Sequence, residues 1–287
     1  MSSPATSSLC IAGSISIGPG QPLALIAGPC VLESLELGLT IGRHLRPICD
    51  RLGINYIFKA SFDKANRSSI ASPRGPGIEN GLAWITEIGR TLNSPTTTDI
   101  HEPQQAAIAA RAVDVLQIPA FLCRQTDLLL AAGKAATEHH RAVNVKKGQF
   151  VSPAEMAGPI RKLAEAGCSN AMLTERGTFF GYNRLVNDFL GVADMMDLRV
   201  KGRESTVPVC FDCTHSTQQP GIGETTGGRP DRAPLLAKAA IAIGVHALFI
   251  ETHPDPKIAL SDASNMIPLA QMEGILTQIA AVRRAVS

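Results

Sequence analysis

Six basic residues, Lys59, Lys64, Arg67, Arg124, Lys146 and Arg176, stand at or just beyond the ends of short apolar runs. Arg offers a planar fork that matches phosphate oxygens in pairs, and Lys offers a point charge. Gathered in one pocket, such a set would hold one or two phosphorylated small molecules. The plainer alternative is that each faces solvent or pairs with Asp63, Asp99 or Glu175. A second constellation joins a thiol, an imidazole and two carboxylates: Cys30, His215, Glu251 and Asp262. That donor set suits one divalent transition-metal ion. The four are far apart in the chain, so spacing alone leaves the metal open.

Other chemistries have less behind them. Cys210 and Cys213 form a CxxC, but in or beside a strand the period of two turns them to opposite faces. His139 and His140 follow a helical segment and read as a solvated end. Lys146 could form a Schiff base with Lys147 lowering its pKa, although a phosphate contact explains the residue more simply. Thr225, Thr226, Gly227 and Gly228 make a polar loop whose N–H groups could meet a phosphate. There is no GxSxG turn for a hydrolytic serine.

The elements that must carry these residues alternate along the chain. Strands are expected at 23–27, 56–61, 96–98, 113–118, 142–145, 170–174, 207–211 and 247–250. Helices are expected at 35–52, 79–92, 103–112, 125–137, 152–166, 231–243 and 268–284, with 184–204 ambiguous and helical in its first half. Pro103 suits a first helical turn, and Ser152 with Glu155 reads as a capping box. Eight βα units with no linker between them predict an α/β fold, a (β/α)8 TIM barrel, as a single domain over 1–287. A doubly wound open sheet is the rival, but GPCVLES after the first strand is not its glycine-rich turn. Residues 1–20 form an N-terminal extension, with a hairpin within 9–17 covering the bottom of the barrel. A barrel displays its reactive groups at the C-terminal strand ends, where nearly all the polar candidates fall.

Composition bounds the function. With 287 residues, 45% hydrophobic and 18% charged, the chain is neither disordered nor a coiled coil. A formal charge of +2 demands neither nucleic acid nor an anionic membrane as partner. No run of about eighteen apolar residues spans a membrane. The start lacks a basic segment followed by a long apolar one, and seven dispersed cysteines need no disulfide framework, so a cytoplasmic location is expected.

The segments AGPCVLES, FKASFDKANRSS, TDIHEP, QIPAFLCRQTDLL, VNVKKGQF, TERGTFFGYN, FDCTHSTQ, ETHPDP and LSDASNMIPL occur in this order. Together they resemble the 3-deoxy-D-manno-octulosonate 8-phosphate synthases, over about residues 20–285. GPCxxES alone is shared with the related 3-deoxy-arabino-heptulosonate 7-phosphate synthases, whereas KANRSS and PAFLxRQTDLL resemble the octulosonate branch. The resemblance implies a homotetramer that condenses phosphoenolpyruvate with D-arabinose 5-phosphate and releases phosphate, for lipopolysaccharide synthesis in Gram-negative bacteria or pectin synthesis in plants. It implies that Lys146, Arg176 and the backbone at Ala120 hold the phosphoenolpyruvate phosphate. Lys64 would hold its carboxylate, with Lys59, Gln117 and Gln149 lining the same site and Asp99 anchoring the charged pocket. Asn66, Arg67 and Ser68 would bind arabinose 5-phosphate, with Arg124 arriving from a neighbouring subunit. Cys30 marks the metal-dependent form, so the ligands of one Zn, Fe, Mn or similar ion would be Cys30, His215, Glu251 and Asp262. Lys64, Lys146, His215 and Asp262 would carry the catalysis. A heptulosonate synthase, a sialic-acid-type synthase and an inactive phosphosugar-binding barrel remain as rivals.

Overall fold

The computed structural model describes residues 9–65, 72–203, 205–220 and 227–286. Eight strands form its centre: β1 Ala24–Gly28, β2 Asn55–Lys59, β3 Thr96–Asp99, β4 Val115–Ile118, β5 Ala142–Lys146, β6 Ala171–Glu175, β7 Val209–Asp212 and β8 Ala247–His253. Each pairs in parallel with the next, and β8 returns to pair with β1. The sheet is therefore a closed barrel. The outer ring is α1 Leu35–Leu52, α2 Ile78–Leu92, α3 Pro103–Ala110, α4 Thr126–His139, α5 Ala157–Glu165, α6 Phe189–Met196, α7 Ala233–Ala242 and α8 Met272–Val286.

The strand period of two divides the core in two. Leu25, Phe58, Leu116, Val143, Val145, Leu173, Phe211, Leu248 and Ile250 belong to the cluster shared with the helices. The alternate residues Ala24, Ile26, Ile57, Val115, Ala142, Met172, Cys210, Ala247 and Phe249 form a second cluster inside the barrel. Continuing those inward rows toward the C-terminal ends gives Cys30, Lys59, Asp99, Gln117, Lys146, Arg176, Asp212 and Glu251. The interior thus changes from apolar to charged along each strand. Cys210 faces the inner cluster and Cys213 the outer one, as the period requires. All seven cysteines are free and buried.

The expected N-terminal hairpin is present, with Cys10–Ala12 antiparallel to Ile15–Ile17. Cys10, Ala12, Ile15 and Ile17 join the inner cluster. They close the barrel at the end where small Ala24, Ala142 and Ala247 leave room. Asn170 fastens the hairpin, accepting from the Ile11 N–H at 2.7 Å and donating to its carbonyl at 2.8 Å.

Boundaries moved where caps and turns act. The α1 span meets its expectation because Ser34 Oγ accepts from the Leu37 N–H at 3.1 Å and Gly53 takes a left-handed φ of 67° at the other end. The helix expected from Ser152 begins instead as a tight turn at Ala154–Met156, with Glu155 accepting from the Ser152 N–H at 2.7 Å. In the ambiguous stretch, Arg184–Val186 pairs with Thr178–Gly181, so α6 starts only at Phe189, capped by Asp188. Among the described residues no helix is long and apolar enough to cross a membrane.

Two stability outcomes follow. Ile17→Ala, at a fully buried position, should lower the unfolding free energy by about 2–5 kcal/mol. Ile11→Ala, on the exposed side of the same hairpin, should change it by less than about 0.5 kcal/mol in the same denaturant titration. His246, which precedes β8, accepts the Val209 N–H on Nδ1 at 3.0 Å. Burial, aided by Arg283, depresses it from 6.5 to about 4. Between those values the unfolded chain binds the extra proton, so stability is full above 6.5 and falls as pH drops toward 4. Thermal midpoints of the protein and of His246→Asn, compared across that interval, should show a shallower acid slope for the variant.

Candidate active site

A cavity of about 560 Å3 opens at the C-terminal end of the barrel. Lys59, Lys64, Asp99, Gln117, Ala120, Lys146, Gln149, Arg176, His215, Glu251 and Asp262 all line it. Residues from seven strands or their following loops therefore meet in one space. Arg124 is exposed on the loop before α4 and does not line this cavity. Asn66, Arg67 and Ser68 lie outside the described residues, as do Thr225 and Thr226. Gly227 and Gly228 pair with Gln219 and Gln218 in a short ladder.

The centre of the arrangement is Asp212, at the tip of β7 and fully buried. Its Oδ2 accepts from Lys146 Nζ at 2.6 Å and lies 2.7 Å from His215 Nδ1. Its Oδ1 accepts from the His215 N–H at 3.0 Å and from Thr214 Oγ1 at 3.2 Å. Burial alone would raise this carboxyl, but His215 and Lys146 hold it far below the ordinary carboxylate range. Lys146 also sits over the Phe249 ring, 3.5 Å from its centroid. Nδ1 of His215 being committed to Asp212, Nε2 faces Glu251 Oε2 and Asp262 Oδ2, each at 3.5 Å.

Cys30 completes the cluster. Its Sγ lies 3.1 Å from Asp262 Oδ2 and 3.2 Å from Ser261 Oγ. Donor atoms of Cys30, Glu251 and Asp262 all lie within 4.8 Å of one another. Burial, then Asp262 and Glu251, push the Cys30 thiol well up. Glu251 and Asp262, which burial would raise, are held low, Glu251 chiefly by Lys59 and Asp262 chiefly by His215. Glu251 Oε2 is buried with no hydrogen-bond partner. An orphaned carboxylate oxygen beside a thiol, an imidazole nitrogen and a second carboxylate fits a divalent cation, which would supply the missing countercharge. The cluster is a candidate site for one metal ion.

The basic residues divide into committed and available groups. Lys59 donates to Glu251 Oε1 at 2.5 Å, to the Cys30 carbonyl at 2.9 Å and to the Pro29 carbonyl at 3.2 Å. Its three protons are thereby used within the protein, and it fixes Glu251. Gln117 is similarly committed, donating to Asp99 and accepting from Asn144 at 3.1 Å. Asp99 also accepts from Ser61 Oγ. Burial would raise Asp99, but Lys59, Lys64 and Lys146 hold it well down. Burial opposes the charge of Lys64, yet Cys30, Glu251 and Asp99 raise it overall. Arg176 donates from Nη2 to Gln218 and to the His215 carbonyl at 3.4 Å, while its buried Nε has no partner. Gln149 Oε1 is also buried and unpartnered.

Two readings change here. Lys147 does not sit beside Lys146 as the Schiff-base reading requires. Successive strand residues point apart, and Lys147 pairs with Glu175 at 3.3 Å on the other side. Of the acidic partners offered as alternatives, Asp63 pairs instead with Arg74 at 2.5 Å. Asp212 falls at the expected tip of the seventh strand, but its residue type alone gave it no role there. Its signal was available in the inward parity it shares with Cys210 and its three-residue spacing to His215.

The chain is similar to known proteins along almost its whole length. The model of the DAHP synthetase I family matches residues 4–286. A 2-dehydro-3-deoxyphosphooctonate aldolase of Cyanothece sp. is 53% identical over 274 residues, covering 95% of this chain and 96% of that protein. The like-named protein of Synechococcus sp. is 52% identical over 273 residues, covering 95% and 92% of the two chains. That of Desulfotalea psychrophila is 51% identical over 273 residues, covering 95% and 94%.

Asp212→Ala removes the acceptor that orients His215 while leaving all four donor groups. Metal affinity, read by competition with a chromophoric chelator, should fall by about 10–100-fold. Unchanged affinity would remove Asp212 from the site.

Proposed function

The chain belongs to the DAHP synthetase I family, and on that premise we propose that it condenses phosphoenolpyruvate with D-arabinose 5-phosphate and water. The products are 3-deoxy-D-manno-octulosonate 8-phosphate and inorganic phosphate. The observation that carries this reading is the convergence of Lys64, Lys146 and Arg176 with Glu251 and Asp262 in one cavity, where Cys30 Sγ backs Asp262 at 3.1 Å. Relatives that are more than half identical bear the matching aldolase name.

In this reading Lys146, Arg176 and the Ala120 backbone take the phosphate of phosphoenolpyruvate, and Lys64 its carboxylate. The unpartnered Nε of Arg176 supports an anion there. Gln149, with a buried free carbonyl oxygen, borders the same space. Lys59 and Gln117 act one step back, the first by holding Glu251 and the second by holding Asp99. Asn66, Arg67 and Ser68 bind the sugar phosphate, and Arg124 reaches it from a neighbouring copy in a homotetramer. The exposure of Arg124 outside its own cavity is compatible with that role.

C3 of phosphoenolpyruvate attacks the aldehyde carbon of the open sugar, and the aldehyde oxygen takes a proton. Positive character at C2 is quenched by water, which loses a proton. The hemiketal phosphate then breaks its C–O bond and releases phosphate. Two anionic substrates repel one another in solution. The fixed cations hold them together in a site whose charges are already oriented, which lowers the entropic and electrostatic cost of their encounter. Cys30, His215, Glu251 and Asp262 would hold the divalent metal, which supplies Lewis acidity toward a sugar oxygen or water. Asp212 keeps the proton on His215 Nδ1, so that Nε2 presents a lone pair. Seven buried free thiols agree with a reducing, cytoplasmic setting.

Phosphate release should require both substrates, and arabinose 5-phosphate should be preferred over erythrose 4-phosphate as acceptor. Activity should disappear on chelation and return with added divalent metal. Lys64→Ala should lower kcat/KM by at least about a hundredfold. A preference for erythrose 4-phosphate would instead identify a heptulosonate synthase, and no phosphate release would identify an inactive binding barrel.

A further inference from the structure

Asp262 stands apart from the other three donors of the cluster. Cys30 and His215 lie at or next to the inward ends of β1 and β7, and Glu251 lies within β8. Asp262 lies in the loop 254–266, beyond the end of β8 and before the chain rejoins the barrel, which it does only at Ile267–Pro268, paired with Thr252 and His253. Its φ of 48° is left-handed, an arrangement that costs an L-residue energy unless neighbours hold it. Its carbonyl accepts from the N–H groups of Asn265 at 2.9 Å and Met266 at 3.3 Å, which makes a tight turn. That turn fixes the local shape of the loop but does not place it against Cys30. Beyond the contacts of Cys30 Sγ with Ser261 and Asp262, a gap between the loop and the β1 side is left to be spanned.

The Glu33 carboxylate bridges that gap. It lies three residues after Cys30, directly before the Ser34 cap of α1. Its Oε1 accepts from the Leu260 N–H at 3.0 Å, two residues before Asp262. The same oxygen lies 3.7 Å from Nε2 of His253, the last residue of β8. Nδ1 of His253 accepts from the Asp255 N–H at 3.0 Å, so in the neutral ring the proton sits on Nε2. That Nε2 is buried and has no hydrogen-bond partner. Glu33 therefore faces two N–H groups on the stretch leading from β8 to Asp262, one at its start and one two residues before Asp262. It lines no part of the catalytic cavity and donates nothing to the metal cluster.

We propose that Glu33 is a positioning residue that fastens the 254–266 loop to the β1–α1 connection and so holds Asp262 within coordinating reach of Cys30. This rests on the metal reading of the Cys30, His215, Glu251 and Asp262 cluster. The part played by Glu33 is that of a hydrogen-bond acceptor. Its charge is secondary, because both groups it faces are N–H donors. Glu33→Gln keeps an acceptor oxygen at the same reach, whereas Glu33→Met keeps the volume and removes the acceptor.

The experiment compares these two variants with the parent protein and with Cys30→Ala. Zn2+ affinity is read by chelator competition, and amide hydrogen exchange of residues 259–266 is read in metal-stripped protein. Glu33→Met should bind Zn2+ at least about tenfold more weakly and should exchange those amides faster. Glu33→Gln should match the parent in both. Parent-like affinity in Glu33→Met overturns the proposal, whether or not exchange accelerates, and so does equal loss in Glu33→Gln. If Glu33→Met does not fold, Glu33→Ala takes its place with the same expected outcomes. Equal Zn2+ binding by the parent and Cys30→Ala would instead reject the metal reading, and the exchange comparison would still judge whether Glu33 fastens the loop.

Discussion

One buried oxygen, Oδ2 of Asp212, answers two proton-bearing partners at once. Lys146 reaches it from β5 across the barrel, and His215 reaches it from just beyond its own strand. None of these groups is stable alone in a barrel interior. A buried carboxylate or ammonium without a partner costs several kcal/mol in lost hydration, and that cost is offset only by close, well-oriented opposite charge. Lys59 and Glu251 repeat the arrangement between β2 and β8, both almost fully buried. These pairs therefore demand a closed barrel. Opening it between β5 and β7, or between β8 and β2, would strand a charge on each side.

The interior of the barrel serves two purposes along one axis. Toward the N-terminal strand ends, apolar inward residues pack on the hairpin and supply stability. Toward the C-terminal ends, the same inward rows carry charge. Phe249 lies where the two regimes meet, buried in the inner cluster and with its ring beneath Lys146. An aromatic face suits that boundary, because it is apolar in bulk and carries negative potential toward a cation.

Charge balance explains why a dense acid–base cluster can also receive anions. Lys59, Lys64, Lys146 and Arg176 stand against Asp99, Asp212, Glu251 and Asp262. The acids hold two of the cations in place, while Arg176 keeps an unused buried N–H and Glu251 an unused oxygen. The first is a demand for an anion and the second a demand for a cation. A phosphate would meet the first demand and a metal ion the second.

Much of the fold was legible because local rules agree with the tertiary outcome. Apolar runs marked all eight barrel strands, and α1 was expected at 35–52, the bounds that the Ser34 cap and left-handed Gly53 enforce in the fold. The start of α6 was not legible, since Arg184–Val186 became a strand by pairing with Thr178–Gly181, a contact propensity does not encode. Residue types by themselves, thiol, imidazole, carboxylates and a set of cations, pointed to phosphate and left the metal open, and only the resemblance of the ordered motifs supplied the reaction. Parity along each strand determined which side chains turn inward. Only the folded barrel decided that Lys59 meets Glu251, that Lys146 meets Asp212, and that Asp262 comes to rest beside Cys30. Those pairings join residues 192, 66 and 232 positions apart. At such separations partner choice depends on ring closure and strand stagger, quantities that no local stretch of sequence contains.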